Sequence, residues 1–389
     1  MTLLLAVIYI TFISLGLPDS MFGAAWPVVH LDFGLSESYG SLYTIIVAVT
    51  TGGISFFAGA LIRKFGTGPV TAVSVVLTAI SMLGISFAPN LWVMMAFAIV
   101  GGYGAGAIDT GLNNFVSVHY KAIHMNWLHC FWGVGITVSP LIMSYFLREN
   151  DWRAGYRTVS YIQFGISLIV ILSLVLWKKY DNSKQKEQPE VKEEKPKIKV
   201  KDILKTKGLI FGILSLGAYC AMEQLLITWG ASYLVNNSSF TPSRAAGYIS
   251  AFFGGIMLGR FAAGLLSLKV SDKNLIRTGI VCSVVGMGML FAKNDVALLI
   301  ALLLIGFGFG PIFPSVIHAV PARFGVEKSA DITGFHMGGA YAIGFGLQFA
   351  FGLVATRTTF AITPWCLIAL CALCFAFSEI TNKKTTVAA

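Results

Sequence analysis

Residues 102–115 read GYGAGAIDTGLNNF, an aspartate and two asparagines set in an otherwise apolar run. Gly102, Gly106, Asp109 and Asn113 follow i, i+4, i+7, i+11 spacing, so on a helix they share one face. A carboxylate at the centre of a bilayer costs at least ~2.5 kcal/mol by insertion scales, so such a group must face protein or water. Apolar surroundings favour the neutral form of a carboxyl. Asp109 is therefore a candidate proton carrier, with a purely structural helix–helix hydrogen bond as the alternative. Asp19 has Gly23 and Trp26 at i+4 and i+7, again one face, and is the second candidate for proton coupling or else a helix-end cap.

Glu223 lies in AYCAMEQLLITWGASY, with Tyr219 one turn earlier, Gln224 beside it and Trp229 further along. An acid beside aromatic rings suits a polyol: the carboxylate accepts hydroxyl protons while a ring covers C–H surface. Packing alone is the other reading of the aromatics. Asn126, His129, Gly133, Thr137 and Pro140 form a further stripe, with Trp132 in the same run. His129 is a candidate hydroxyl donor or proton relay, or else a buried histidine satisfied by a neighbouring helix. The candidate substrate contacts are thus Asn113, His129, Trp132, Tyr219, Glu223 and Trp229, with His336 added through a repeat relation described below. Arg260, in MLGRFAAG, is expected to pair with an acid near a cytoplasmic gate.

The elements that must position these groups follow from composition. The 389 residues are 56% hydrophobic and 12% charged, with mean hydropathy +0.76; an average soluble chain carries about twice that charge. Apolar runs of about 20 residues recur, each long enough to cross ~30 Å of hydrocarbon as a helix. The expected class is an all-α membrane protein. The runs are continuous rather than alternating, which disfavours a β-barrel. The first run is too long for a cleavable leader. The six cysteines all fall within apolar runs and show no metal-ligand spacing, so neither a metal nor a disulfide framework is expected.

Twelve spans are predicted, near 3–25, 39–62, 69–88, 91–118, 126–147, 157–177, 208–235, 245–268, 275–293, 296–320, 330–355 and 361–380. Residues 178–207 hold 11 lysines, six acids and two prolines, and read as a solvated linker between an N-terminal bundle (1–177) and a C-terminal bundle (208–389). With that linker in the cytoplasm, 21 of the 28 Lys and Arg fall on the cytoplasmic side and six outside, Arg260 lying within a span. That asymmetry places both termini in the cytoplasm and accounts for the net charge of +10 without nucleic acid.

The halves also repeat. SLG at 14–16 recurs at 215–217, GGI at 52–54 recurs at 254–256, GYGAG at 102–106 matches GFGFG at 306–310, and His129 matches His336. Four ordered matches at nearly one offset predict two pseudo-symmetric six-helix bundles facing a central cavity, an architecture suited to alternating access. GYGAGA and GFGFGP lack the strand context of dinucleotide fingerprints, and no Walker motif is present, so no cofactor, ATP drive or enzyme activity is expected.

With these residues in view, the chain resembles the major facilitator superfamily over essentially its whole length, and specifically the fucose permease-like branch that includes bacterial hexose:proton symporters. GAGAIDTGLNNF is similar to that branch's Gly-x-Gly-x-x-acid-Thr core, YCAMEQ to a Tyr-x-x-x-Glu of glucose-transporting members, and NWLHCFWGVGITVSP, GGIMLGRFAAG and GFGFGPIFP to further segments. The resemblance implies that Asp109 lies in the central cavity and serves coupled sugar transport. It also implies a protonated first-span Asp, from whose place Asp19 is displaced by about one turn. The loop-two motif, normally Gly-x-x-x-Asp-Arg, is reduced to GALIRKFGTG without its Asp. The expectation is a monomeric sugar:proton symporter in the inner (plasma) membrane, with sodium as an alternative coupling ion. A proton-coupled drug or metabolite exporter is the second expectation. A non-transporting membrane sensor, which would carry an appended domain, is the third.

Overall fold

The computed structural model describes residues 2–120, 122–178, 206–292, 294–325 and 329–385; the predicted linker falls almost wholly outside them. Among the described residues the regular elements are helices, and none is a strand. The first half contains α1 (Thr2–Asp19), α2 (Met21–Asp32), α3 (Tyr39–Phe65), α4 (Thr67–Ser86), α5 (Leu91–His119), α6 (Ala122–Phe146) and α7 (Trp152–Leu172). The second contains α8 (Leu209–Ser238), α9 (Pro242–Leu266), α10 (Asp272–Met289), α11 (Asp295–Phe309), α12 (Ile312–His318), α13 (Val320–Phe324), α14 (Ser329–Ala355) and α15 (Thr363–Thr385). By chain contacts, the described residues of Met1–Leu35 and Leu42–Pro196 make one compact unit, and those of Ser36–Ser41 and Lys197–Ala389 another.

Ten helical stretches of the described residues are long and apolar enough to cross a membrane, and Tyr39–Ile54 is a shorter apolar helix. The predicted ninth span, α10, falls short of that standard because Asp272, Lys273 and Arg277 occupy its first two turns. The sixth starts at Trp152 rather than near 157. Asp151 caps it by accepting from Ala154 N at 2.9 Å, and the Arg153 guanidinium is drawn to Asp32 (2.5 Å) and the Ala88 carbonyl (3.1 Å).

Within the first unit α1 packs on α6, and α4 on α5 and α7; within the second α8 packs on α14 and α15, and α11 on α9 and α10. The first-on-fifth and third-on-fourth span pairings thus recur in both units, as the repeat requires. Proline shapes the α1–α6 pair. Pro18 has no N–H to give the Ser14 carbonyl and Pro140 none to give that of Ile136; with no water in a bilayer core to replace them, other donors must. Gln163 Nε2 of α7 donates to Ser14 O at 2.7 Å, and Ser20 Oγ donates to Ile136 O at 2.9 Å. Ser20 is also the break between α1 and α2. The two helices touch backbone to backbone: a Cβ on Gly16 would lie 2.3 Å from Trp132 O, and one on Gly135 2.2 Å from Ile13 O.

Candidate functional site

The first half gathers its polar groups on α1, α5 and α6. Because α1 and α6 close at Gly16 and Gly135, Trp132 reaches the end of α1 and donates its indole N–H to Asp19 Oδ2 at 2.8 Å. Asp19 is exposed and Trp132 half-buried. One helical turn from Trp132, the His129 ring meets the edge of Phe12 (centroids 5.9 Å apart, planes at 89°). On α5, Asn113 Nδ2 donates to Asp109 Oδ1 at 2.7 Å, the i, i+4 contact that the stripe predicted. Both side chains remain half-buried. Gly106, one turn before Asp109, closes on α3, where an added Cβ would lie 2.4 Å from Thr51 O.

The second half repeats that crossing but moves the charge. Gly310, the counterpart of Gly106, closes on α9: a Cβ there would lie 2.5 Å from the backbone N of Arg260. The Arg260 side chain then reaches Glu223 of α8, Nη2 to Oε1 at 3.6 Å, with the two side chains 10% and 11% exposed. That distance is too long for a hydrogen bond, so the guanidinium holds the carboxylate by charge. Tyr219 OH donates to the same Oε1 at 3.0 Å, across one turn of α8. The Tyr219 ring is fully buried and rests on Phe309 (5.5 Å) and Phe313 (6.3 Å). The acid that meets Arg260 is therefore Glu223, half-way along α8.

Trp229 and His336 are placed in helix packing. Trp229 has no exposed surface, donates to Gln348 O at 3.3 Å and lies against Gly352 and Phe360. His336, 1% exposed, shares a hydrogen bond with Ile332 O at 3.0 Å and fills the space over Gly212. The repeat relation between His336 and His129 holds in sequence, but their surroundings differ.

Sequence reading missed Gln163, whose position in an apolar span was a usable signal, and the pair of Tyr9 OH and His124 Nδ1 at 3.0 Å, which carried none. Among the described residues no group of His, Cys, Asp and Glu could hold a metal.

The profile of the Major Facilitator Superfamily matches residues 8–348. The chain belongs to that superfamily. It is an all-α, multi-pass membrane transport protein with the twelve-span fold, and not an enzyme. It is similar to the glucose/mannose transporter GlcP of Bacillus subtilis, 24% identical over 366 residues that cover 91% of this chain and 88% of the relative. It is also similar to the cis,cis-muconate transport protein of Acinetobacter baylyi, 21% identical over 334 residues, 81% of this chain and 77% of the relative. Among solved structures, a bacterial homologue of the human lysosomal transporter Spinster, inward-facing and unoccupied, superposes with a TM-score of 0.73 at 13% identity, covering 100% of this chain and 99% of that one.

Proposed function

We propose that the protein is a secondary active transporter of a hexose-type sugar, working by alternating access in symport with a proton. Glu223 carries this reading. It is a carboxylate half-way along a membrane helix that already accepts one hydroxyl, that of Tyr219 at 3.0 Å, whose ring in turn packs on Phe309 and Phe313. A sugar asks for the same chemistry: acceptors for hydroxyl protons and rings for its C–H faces. The resemblance to the fucose permease-like branch and the likeness to GlcP support it.

In this reading Glu223, Asn113, His129 and Trp132 bind substrate, the buried Tyr219 orients Glu223 through its hydrogen bond, Trp229 and His336 serve packing, and Asp109 carries the coupling proton with Asp19 as a second candidate. The 1–177 and 208–389 bundles, the cytoplasmic 178–207 linker, both termini in the cytoplasm, the plasma-membrane location and the monomeric state belong to the same proposal. A second reading is a proton-coupled exporter of drugs or metabolites; the likeness to the muconate transport protein supports a substrate other than a sugar.

Purified protein in proteoliposomes under an imposed pH gradient, with sodium as a separate arm, tests it. D-glucose or D-mannose should accumulate without sodium, and lipophilic cations should not compete. Absence of sugar accumulation, or displacement of bound sugar by lipophilic drugs, would transfer the assignment to the exporter.

A further inference from the structure

The Glu223–Arg260 pair joins two charges, each about nine-tenths buried, on adjacent helices of one half. Its geometry is specified twice over. Gly310 lets α11 close on the Arg260 backbone, and the Tyr219 ring, wedged by Phe309 and Phe313, aims its hydroxyl at Glu223. Both contacts fall on Oε1, and Oε2 receives neither. An ionised carboxylate only accepts, and a guanidinium only donates.

We propose that Glu223 and Arg260 together form a charge filter that admits neutral polyols and rejects sugar acids, with Arg260 the positioning residue that offsets the cost of burying the Glu223 carboxylate and leaves its Oε2 to the ligand. The proposal rests on the sugar reading above. It moves Arg260 from gating to specificity. A neutral hydroxyl donates to Oε2, whereas a ligand carboxylate brings acceptor against acceptor in a nearly dry site, where like charges repel strongly. Arg260 cannot serve the incoming anion because its charge is already balanced by Glu223. The first half lacks the device: at the same repeat offset Arg260 corresponds to Ala58 and Glu223 to Phe22.

The test compares D-glucose binding and competition by D-glucuronate, an anion of nearly the same shape, in four proteins: wild type, Glu223→Gln, Arg260→Met and the double variant. Each single variant replaces a charge-assisted hydrogen bond to the sugar with a neutral one, a difference of roughly five-fold in affinity, so each should bind D-glucose weaker by about that factor. The double variant should be no weaker than either single one, because one unit has been removed. Glu223→Gln removes the carboxylate that faces Arg260 and should bind D-glucuronate at least ten-fold tighter than wild type does, a gain absent from Arg260→Met and from the double variant.

A merely structural pair would lower thermal stability in the single variants without that gain. Should Arg260→Met fail to fold with Glu223 left alone, the double variant, free of both buried charges, and Arg260→Lys still decide the matter. The double should match Glu223→Gln for glucose, and the lysine variant should keep part of the affinity. Wild-type glucose binding that Arg260→Met, or the double variant in its place, leaves unchanged would overturn the filter alone. Absence of glucose binding by the wild type would overturn the sugar reading and the filter with it.

Discussion

Asp109→Asn should separate folding from coupling. The carboxylate accepts from Asn113 Nδ2 at 2.7 Å, and an asparagine at 109 keeps an oxygen in the same place to accept that bond. The change replaces a charge-assisted hydrogen bond, worth ~1.5–3 kcal/mol, with a neutral one of ~0.5–1.5 kcal/mol. The net loss is about 1 kcal/mol, offset in part because no charge remains to be desolvated. Unfolding should therefore shift by only a few degrees. The effect on transport is far larger. A proton re-entering through a potential of about 100 mV supplies ~2.3 kcal/mol, which at ~1.4 kcal/mol per decade sustains roughly 40- to 50-fold accumulation. Without a proton carrier the ratio falls to about one.

The assay is uptake of radiolabelled D-glucose into proteoliposomes carrying a potential of about that size, followed by counterflow at zero gradient. Counterflow should survive in the variant, because exchange need not release the proton. Accumulation by the Asn variant equal to wild type would refute the coupling role and leave Asp109 as a structural hydrogen-bond partner of Asn113 only.

Gln163→Leu strips the buried Ser14 carbonyl of the donor that replaces the N–H missing at Pro18; it should cost about 1–3 kcal/mol, seen as a lower melting temperature with a thiol-reactive dye, and an unchanged melt would show the bond to be dispensable. Gly135→Ala places a Cβ 2.2 Å from the Ile13 carbonyl, while Gly165→Ala meets nothing within 4 Å; the first should lose about 1–3 kcal/mol and transport with it, the second neither, and equal behaviour would refute the close crossing. Ser183→Cys, in a protein without its native cysteines, should resist impermeant maleimide in intact cells and react after lysis. Ready labelling from outside would invert the proposed topology.

The features legible in the sequence were those that geometry fixes locally. Asp109–Asn113 and Tyr219–Glu223 are one-turn pairs within single helices, and 3.6 residues per turn brings such side chains together whatever the fold. Span positions, the charge asymmetry and the repeat were likewise readable, because length, apolarity and periodicity are properties of the chain. Boundaries slipped where a charged first turn belongs to a helix, as at Trp152 and at Asp272.

The tertiary structure decided which helix answers which. Asp19 meets Trp132 from 113 residues away, Gln163 supplies the Ser14 carbonyl from 149 away, and Arg260 meets Glu223 on another helix. It also decided that Trp229 and His336 face packing while Asp19 is exposed. In a soluble helix the apolar stripe marks the inward face. In a bilayer, lipid-facing and core-facing positions are both apolar, and close packing depends on where small residues of two helices coincide. Only the packed structure shows where Gly16 meets Gly135 or Gly310 meets Arg260, and therefore which polar side chains are brought together.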